Sequence, residues 1–220
     1  MKAKYIAWLL LFFLLTGCRS SQITSSWKKE NMFPKKFDKI LVLGLIREQD
    51  RNLRAQMEEH MAADLRDAGY NAVSSEGEFG PKAFENMDEE TAIQKLQYCD
   101  VNAVITIVLL NKAIESNYYP HRQIPYGTHH NSFGQYYNTM YDHIYSPGYY
   151  VTTTKYFWES NFYEVESREL VYSVHTQSFN PTSAGSLANE YGKMIVRDIL
   201  KNNILTPIVH SDTGVKTKAF

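Results

Sequence analysis

Two strongly apolar runs constrain this chain more than any other feature. Residues 40–45 read Ile-Leu-Val-Leu-Gly-Leu, and residues 101–110 read Val-Asn-Ala-Val-Ile-Thr-Ile-Val-Leu-Leu. A strand with one wet face alternates apolar and polar residues, so runs that do not alternate belong to strands buried on both faces, as in a parallel sheet with helices above and below. The intervening sequence supplies those helices. Leu53, Met57, Met61, Leu65 and Ala68 recur every three or four residues through positions 48–68, and Gly69 stands where a helix ends in a left-handed residue. Residues 70–74 read as a short strand, and residues 75–87 as a loop rich in Glu, Gly and Pro. Asp88 then caps a helix that carries Glu89 and Glu90 in its first turn and runs to about Tyr98.

The second half of the chain changes period. Residues 151–165 and 170–179 are β-rich and joined by Glu166-Ser167-Arg168-Glu169, a turn of hairpin length. Leu170, Tyr172 and Val174 alternate with Ser173, His175 and Gln177, giving that strand one apolar face. A final helix follows Asn180-Pro181-Thr182, with Leu187, Tyr191, Met194, Ile195 and Ile199 on one stripe, and stops at Asn202-Asn203. The expected fold is α/β: a mixed sheet of about five strands, with elements in the order βαβαβ-ββ-α. The first three strands are parallel, residues 101–110 are central, polar residues 111–117 prolong that strand, and the hairpin adds antiparallel strands at one edge. The expected domain spans residues 37–205, and the polar, aperiodic residues 206–220 read as a disordered tail.

The N-terminus reads as an address. Lys2 and Lys4 precede an apolar run, residues 6–15, that is too short for the roughly 20 residues a spanning helix needs, and small residues follow it. This is the pattern of a secretory signal over residues 1–17. Leu15-Thr16-Gly17-Cys18 resembles the bacterial lipobox, which implies diacylglycerol on the Cys18 thiol, cleavage before Cys18, and acylation of the new amine, palmitate being a typical chain. Several acyl chains, at about 0.8 kcal/mol per buried methylene, would hold the protein at a membrane. Residue 19 is Arg, whereas an Asp there resembles the inner-membrane retention signal of enteric lipoproteins. The expectation is therefore the periplasmic face of an outer membrane. Residues 18–36 are polar without a sustained period and read as a tether, in which Trp27 either docks on the domain or sits at the membrane interface.

Charge and cysteine content exclude several function classes. The chain has 23 basic and 24 acidic side chains, and loss of residues 1–17 removes two lysines and makes it mildly acidic. A nucleic-acid partner is not expected, because no run of Lys and Arg could neutralise several phosphates, and the mildly acidic balance of the processed chain disfavours binding to anionic lipid by charge. Of the two cysteines, acylation of Cys18 leaves Cys99, which abuts the run 101–110 and reads as a structural thiol, with no histidine partner or electropositive setting nearby.

Residues 118–150 break the pattern. They contain nine of the sixteen tyrosines and four of the seven histidines, but only Arg122 and Asp142 as charged residues. With Pro120, Pro125, Pro147 and three glycines, the segment reads as a long irregular insertion. Tyr118, Tyr119, Tyr126, Tyr136, Tyr137, Tyr141, Tyr145, Tyr149 and Tyr150 are the candidate binding residues, because such rings bury large area at little rotamer cost and keep a polar tip. The expected partner is an envelope protein, ahead of peptidoglycan or another glycan. His121, His129, His130 and His143 are the weak candidate metal ligands: adjacent His129 and His130 do not readily face one ion, and a Gly/Asn-dense loop fixes little.

Other chemistry is thinner. Ser173 and His175 share a strand face and could be imagined with Glu164 or Glu166 as a triad, but nothing resembles a nucleophile elbow or an oxyanion loop. Glu159 paired with Glu164 or Glu166 reads as ordinary solvation. Gly44 alone is not a G-x-G-x-x-G, and no P-loop is present. No catalytic residue and no cofactor is expected.

The element order, with Phe37-Asp38-Lys39-Ile40-Leu41-Val42-Leu43 opening the domain after the lipobox, resembles a class of Gram-negative envelope lipoproteins. More loosely it looks like the small α/β domains of the Tol-Pal propeller protein's amino terminus, the curli secretion lipoprotein and the lipoprotein activators of peptidoglycan synthases. That resemblance implies interaction and assembly rather than catalysis. The alternative is a metal-dependent or glycan-processing enzyme that uses the histidine-bearing insertion.

Overall fold

The computed structural model describes residues 20–119, 129 and 131–206. The expected signal and Cys18 lie outside the described residues, as do His121, Arg122, Tyr126, His130 and nearly all of the expected tail.

Six strands form one mixed sheet. They are β1 (Ser21–Lys28), β2 (Ile40–Leu45), β3 (Ala72–Ser74), β4 (Ala103–Tyr119), β5 (Tyr149–Glu164) and β6 (Leu170–Phe179), in the spatial order β1-β6-β5-β4-β2-β3. Strands β2, β3 and β4 are parallel, with β2 between the other two, and β5, β6 and β1 follow antiparallel. This is the α/β mixed sheet that the apolar runs imply. The helices are α1 (Arg51–Asp67), α2 (Ser75–Phe79), α3 (Glu89–Tyr98), α4 (Phe133–Tyr145) and α5 (Ala184–Lys201).

Residue alternation sorts β2 between two cores. Ile40 and Val42 join the larger one, where Met57, Met61 and Leu65 of α1 and Leu187, Tyr191, Ile195 and Ile199 of α5 cover Trp158, Phe162, Tyr172 and Val174. Leu41 faces the smaller one, with Leu96 of α3, Val101, Val104 and Val165, against which Cys99 packs. Helices α1 and α5 approach closely because Gly192 has no Cβ: one placed there would sit 3.2 Å from the Met61 backbone and in hard contact with the Asp64 carboxylate. Two tyrosines anchor α5 to the sheet. Tyr191 shares a hydrogen bond of 2.8 Å with Ser160, and the Tyr172 hydroxyl donates to Asp198 at 2.6 Å. Burial pushes both phenols up, well above their ordinary value. Two helix ends match the sequence reading: Asp88 accepts from the Thr91 amide at the start of α3, and Gly69 takes φ 93° after α1. At α5, Ser183, which the sequence did not single out, closes a reciprocal capping box with Ser186.

Three expectations are corrected. Within the segment read as a tether, Ser21–Lys28 is the edge strand β1, paired with β6 from Ser21 opposite Ser178 to Lys28 opposite Tyr172. It is held by its backbone and by a buried Ser21–Ser178 hydroxyl contact of 2.8 Å, so it carries no apolar alternation to announce it. It brings the sheet to six strands among the described residues, in keeping with the about five expected, and it carries Trp27 opposite Ser173 of β6. Second, part of the loop at residues 75–87 forms the short helix α2.

Third, residues 118–150 are not wholly irregular. Tyr118 and Tyr119 end β4, Tyr149 and Tyr150 begin β5, and Phe133–Tyr145 is helical. Both strands run on past the body as a two-stranded ribbon, where neither face is buried and burial leaves no mark on the sequence. The prolines that argued against regular structure fall outside α4. Ser132 caps the helix by accepting from the Gln135 amide, and Pro147-Gly148 follows its last turn.

Candidate functional site

Three places bring chemistry-bearing side chains together, and they differ in how far folding already accounts for them. The first is a cleft of about 310 Å³ at the C-terminal end of β2, lined by Leu45, Arg54, Glu58, Glu76 and Phe84 among others. The carboxyl ends of parallel strands are where open α/β sheets bind ligands. Much of its buried polar surface, however, is bonded to backbone, although Arg54 Nε and Glu76 Oε2 are buried without a hydrogen-bond partner. Glu58, 1% exposed, accepts from the Gly44 amide at 2.8 Å and the Glu76 amide at 2.7 Å, and Arg54 donates to the Pro81 carbonyl at 2.7 Å. Burial pushes the Glu58 carboxyl up from its ordinary value, although the two amides and Arg54 oppose the shift. These contacts tie the segment after β3 to β2 and α1.

The second place is on β6. The triad imagined from sequence does not assemble: Ser173 lies opposite Asn161 and Trp27, Glu164 is held by Lys35 at 2.7 Å and by Ser167, and Glu166 is an exposed turn residue. His175 instead meets Glu159 of β5, Nε2 to Oε2 at 2.8 Å, and Ser25 of β1, Nδ1 to Oγ at 3.1 Å. Both partners escaped the sequence reading, Ser25 because its strand did and Glu159 because it was read as solvation. The imidazole is 47% exposed on the sheet face away from α1 and α5, so a nucleophile there would work in bulk water rather than in a preorganised, dry site.

The third place is the arm formed by the distal ribbon and α4. Strand β4 passes from five consecutive buried residues, positions 103–107, to exposed ones from Leu110 to Tyr119, apart from half-buried Ala113. Its ladder with β5 nonetheless continues without interruption from Asn111 opposite Phe157 to Tyr119 opposite Tyr149. Near the base, Lys155 makes two contacts of 2.8 Å to Glu115, and Lys112 stands over the Tyr156 ring. At the tip the cross-strand pairs are aromatic: Tyr118 with Tyr150 at 5.2 Å and Tyr119 with Tyr149 at 5.8 Å, the latter stacked. The Gly148 amide donates to the Tyr118 hydroxyl, and a Cβ at Gly148 would fall inside that ring.

Helix α4 carries an aromatic ladder at i, i+4 spacing. Phe133, Tyr137, Tyr141 and Tyr145 follow one another at 6.0, 5.8 and 4.5 Å, and none of the helix's residues is buried. Phe133 is 79% exposed, Tyr145 68% and Ile144 66%, while Thr139, Met140 and His143 are its half-covered positions. Every described tyrosine named from the sequence therefore lies on this arm and is exposed. His129 is exposed and precedes α4, whereas His143 sits in the last turn of that helix, and among the described residues no three His, Cys, Asp or Glu side chains converge to hold a metal.

No protein-family model matches the chain, and no curated protein matches it. Solved structures resemble it at low identity. The PelC dodecamer from Paraburkholderia phytofirmans is 9% identical over 84% of this chain and 99% of that chain, with a TM-score of 0.45. Lipoprotein GNA1162 from Neisseria meningitidis is 14% identical over 74% and 98%, with a TM-score of 0.38. A neuraminyllactose-binding hemagglutinin homolog from Helicobacter pylori is 10% identical over 79% and 89%, with a TM-score of 0.38.

Proposed function

We propose that this chain is a lipid-anchored cell-envelope protein, on the periplasmic face of an outer membrane, with a binding or assembly role rather than a catalytic one, and that the arm is the element it presents. The supporting observation is the contrast between the arm's composition and its burial. It is rich in large aromatic side chains, and α4 buries none of them. Exposed aromatic surface on this scale marks contact sites, because water is a poor solvent for it and folding gains nothing from it. The anchor reading rests on Leu15-Thr16-Gly17-Cys18 closing the apolar run.

Two experiments test the parts separately. Cys18→Ser should leave an unprocessed precursor or release soluble protein, and mature, membrane-bound protein from that variant would refute the anchor. A photo-crosslinking residue placed at Tyr141 or Tyr150 in intact envelopes should capture a neighbour, while the same residue at Tyr98, on α3, should not. Capture confined to Tyr98 or to Tyr163 would move the contact surface to the body.

A further inference from the structure

We infer that the arm docks on the lipid bilayer that holds the Cys18 acyl chains, so that the domain is fixed to the membrane at two points; this rests on the anchor reading above. Ser21 of β1 lies opposite Ser178, Ser178 opposite Tyr156, and Tyr156 opposite Lys112, so these four residues form one row across the sheet. One step beyond that row the Phe179 amide bonds the Ser20 carbonyl, and Phe179 pairs with Lys155. Strand β1 runs away from this end, so the chain that reaches Ser20 from Cys18 arrives on the side from which the arm projects.

Beyond Lys155 the ribbon continues for six more pairs, from Thr154 opposite Ile114 to Tyr149 opposite Tyr119. At about 3.4 Å per residue the arm reaches roughly 20 Å past the point where the chain enters the sheet. Cys18 is two residues from Ser20, and two residues span at most about 7 Å. An anchor on so short a lead holds this end of the domain against the headgroups, and the arm is longer than the gap. It must lie along the bilayer surface or enter the interfacial layer.

Its chemistry suits that position. Tyrosine concentrates at membrane interfaces, where the ring meets the acyl boundary and the hydroxyl stays wet. The described part of the arm beyond Lys155 carries Glu115, neutralised by that lysine, and Asp142 as its only acidic or basic side chains apart from histidines. Among the described residues no helix is long and apolar enough to cross a membrane. The 13 residues of α4, with Phe133, Tyr137, Tyr141 and Ile144 outward, match a helix lying in the interface plane. Lacking a basic face, it would hold to neutral lipid by apolar and aromatic contact, with little response to salt.

The test separates docking from cellular lipidation by supplying the anchor chemically. The chain from residue 18, in a Cys99→Ala, Trp27→Phe background that leaves the fully buried Trp158 as a shared baseline, is coupled through Cys18 to a maleimide phospholipid in phosphatidylcholine vesicles, with a tryptophan reporter introduced as Tyr141→Trp, Tyr150→Trp or Tyr98→Trp. Docking predicts that the Tyr141 and Tyr150 reporters gain quenching from brominated acyl chains and lose quenching by iodide, equally at low and high salt. The Tyr98 reporter, at the opposite end of the sheet, should do neither. Iodide access at all three positions in the coupled protein would overturn the inference and leave the anchor standing. It would favour a protein or glycan facing the arm, which the envelope crosslinks would then identify. Failure of Cys18 acylation in cells, with docking intact on coupled vesicles, would overturn the anchor, and with it the two-point attachment, and leave only the arm's affinity for lipid.

Discussion

Strands β4 and β5 each belong to two regions with opposite physics. In the body, Ile105 and Ile107 of β4 and Trp158 and Phe162 of β5 are buried to within 1% and covered by α1 and α5. In the arm, the same strands keep the same antiparallel ladder with side chains open on both faces. Backbone pairing is thus common to both regions, and side-chain burial is confined to one. Two-stranded ribbons are marginal on their own, so the arm's order derives from the body that starts its register, while its side chains contribute little to stability in return. Residues relieved of packing are available for contact, and here the end of the ribbon and one stripe of α4 are aromatic.

Substitutions can break this contrast, and the largest effects belong in the body. Trp158→Ala should cost about 3–5 kcal/mol, the range for removing a fully buried large aromatic residue, read as a shift in the urea midpoint. Glu58→Gln should cost about 1–3 kcal/mol, because an amide keeps one acceptor and turns its NH₂ toward a backbone N–H that the carboxylate had satisfied. A calorimetric scan that shows no loss would mean that the Gly44 and Glu76 amides find other partners.

The pH dependence gives a smaller effect, with a defined sign. Lys35 holds the Glu164 carboxyl below its ordinary value of 4.5. A depressed carboxyl contributes stability above 4.5 and loses it as pH falls through the folded value. Glu164→Gln should therefore lower stability at neutral pH and flatten the acid limb of the stability curve. The smallest effect is expected in the arm: Tyr137→Ser with Tyr141→Ser should change stability by no more than about 0.5 kcal/mol while weakening vesicle docking.

How much of this was legible in the sequence follows the same division. The runs at residues 40–45 and 101–110 and the stripes on α1 and α5 announced the parallel core because burial on one or both faces writes a period into the residues. Asp88, Gly69 and Asn202-Asn203 marked helix ends because capping has its own residue chemistry. Strand β1 was invisible, since Ser, Gln and Thr at an edge are selected by hydrogen bonding and carry no burial pattern. The tyrosines were conspicuous as a group, but their order was not: a ribbon with two open faces leaves no alternation, and the prolines flanking α4 masked the i, i+4 spacing of Phe133, Tyr137, Tyr141 and Tyr145. For His175 the strand face was legible. Its partners Glu159 and Ser25 depend on the β1-β6-β5 order, which only the folded sheet supplies.

The central claim is that the arm stands apart from the fold. Thermal unfolding of a chain in which residues 118–148 are replaced by a short Gly-Ser turn tests it most directly. The account predicts one cooperative transition with a midpoint within a degree or two of the intact chain, since a change below about 0.5 kcal/mol moves the midpoint of a domain this size by no more than that. A midpoint lowered by ten degrees or more, or loss of the cooperative transition, would place the arm's aromatic residues in the core and contradict the account.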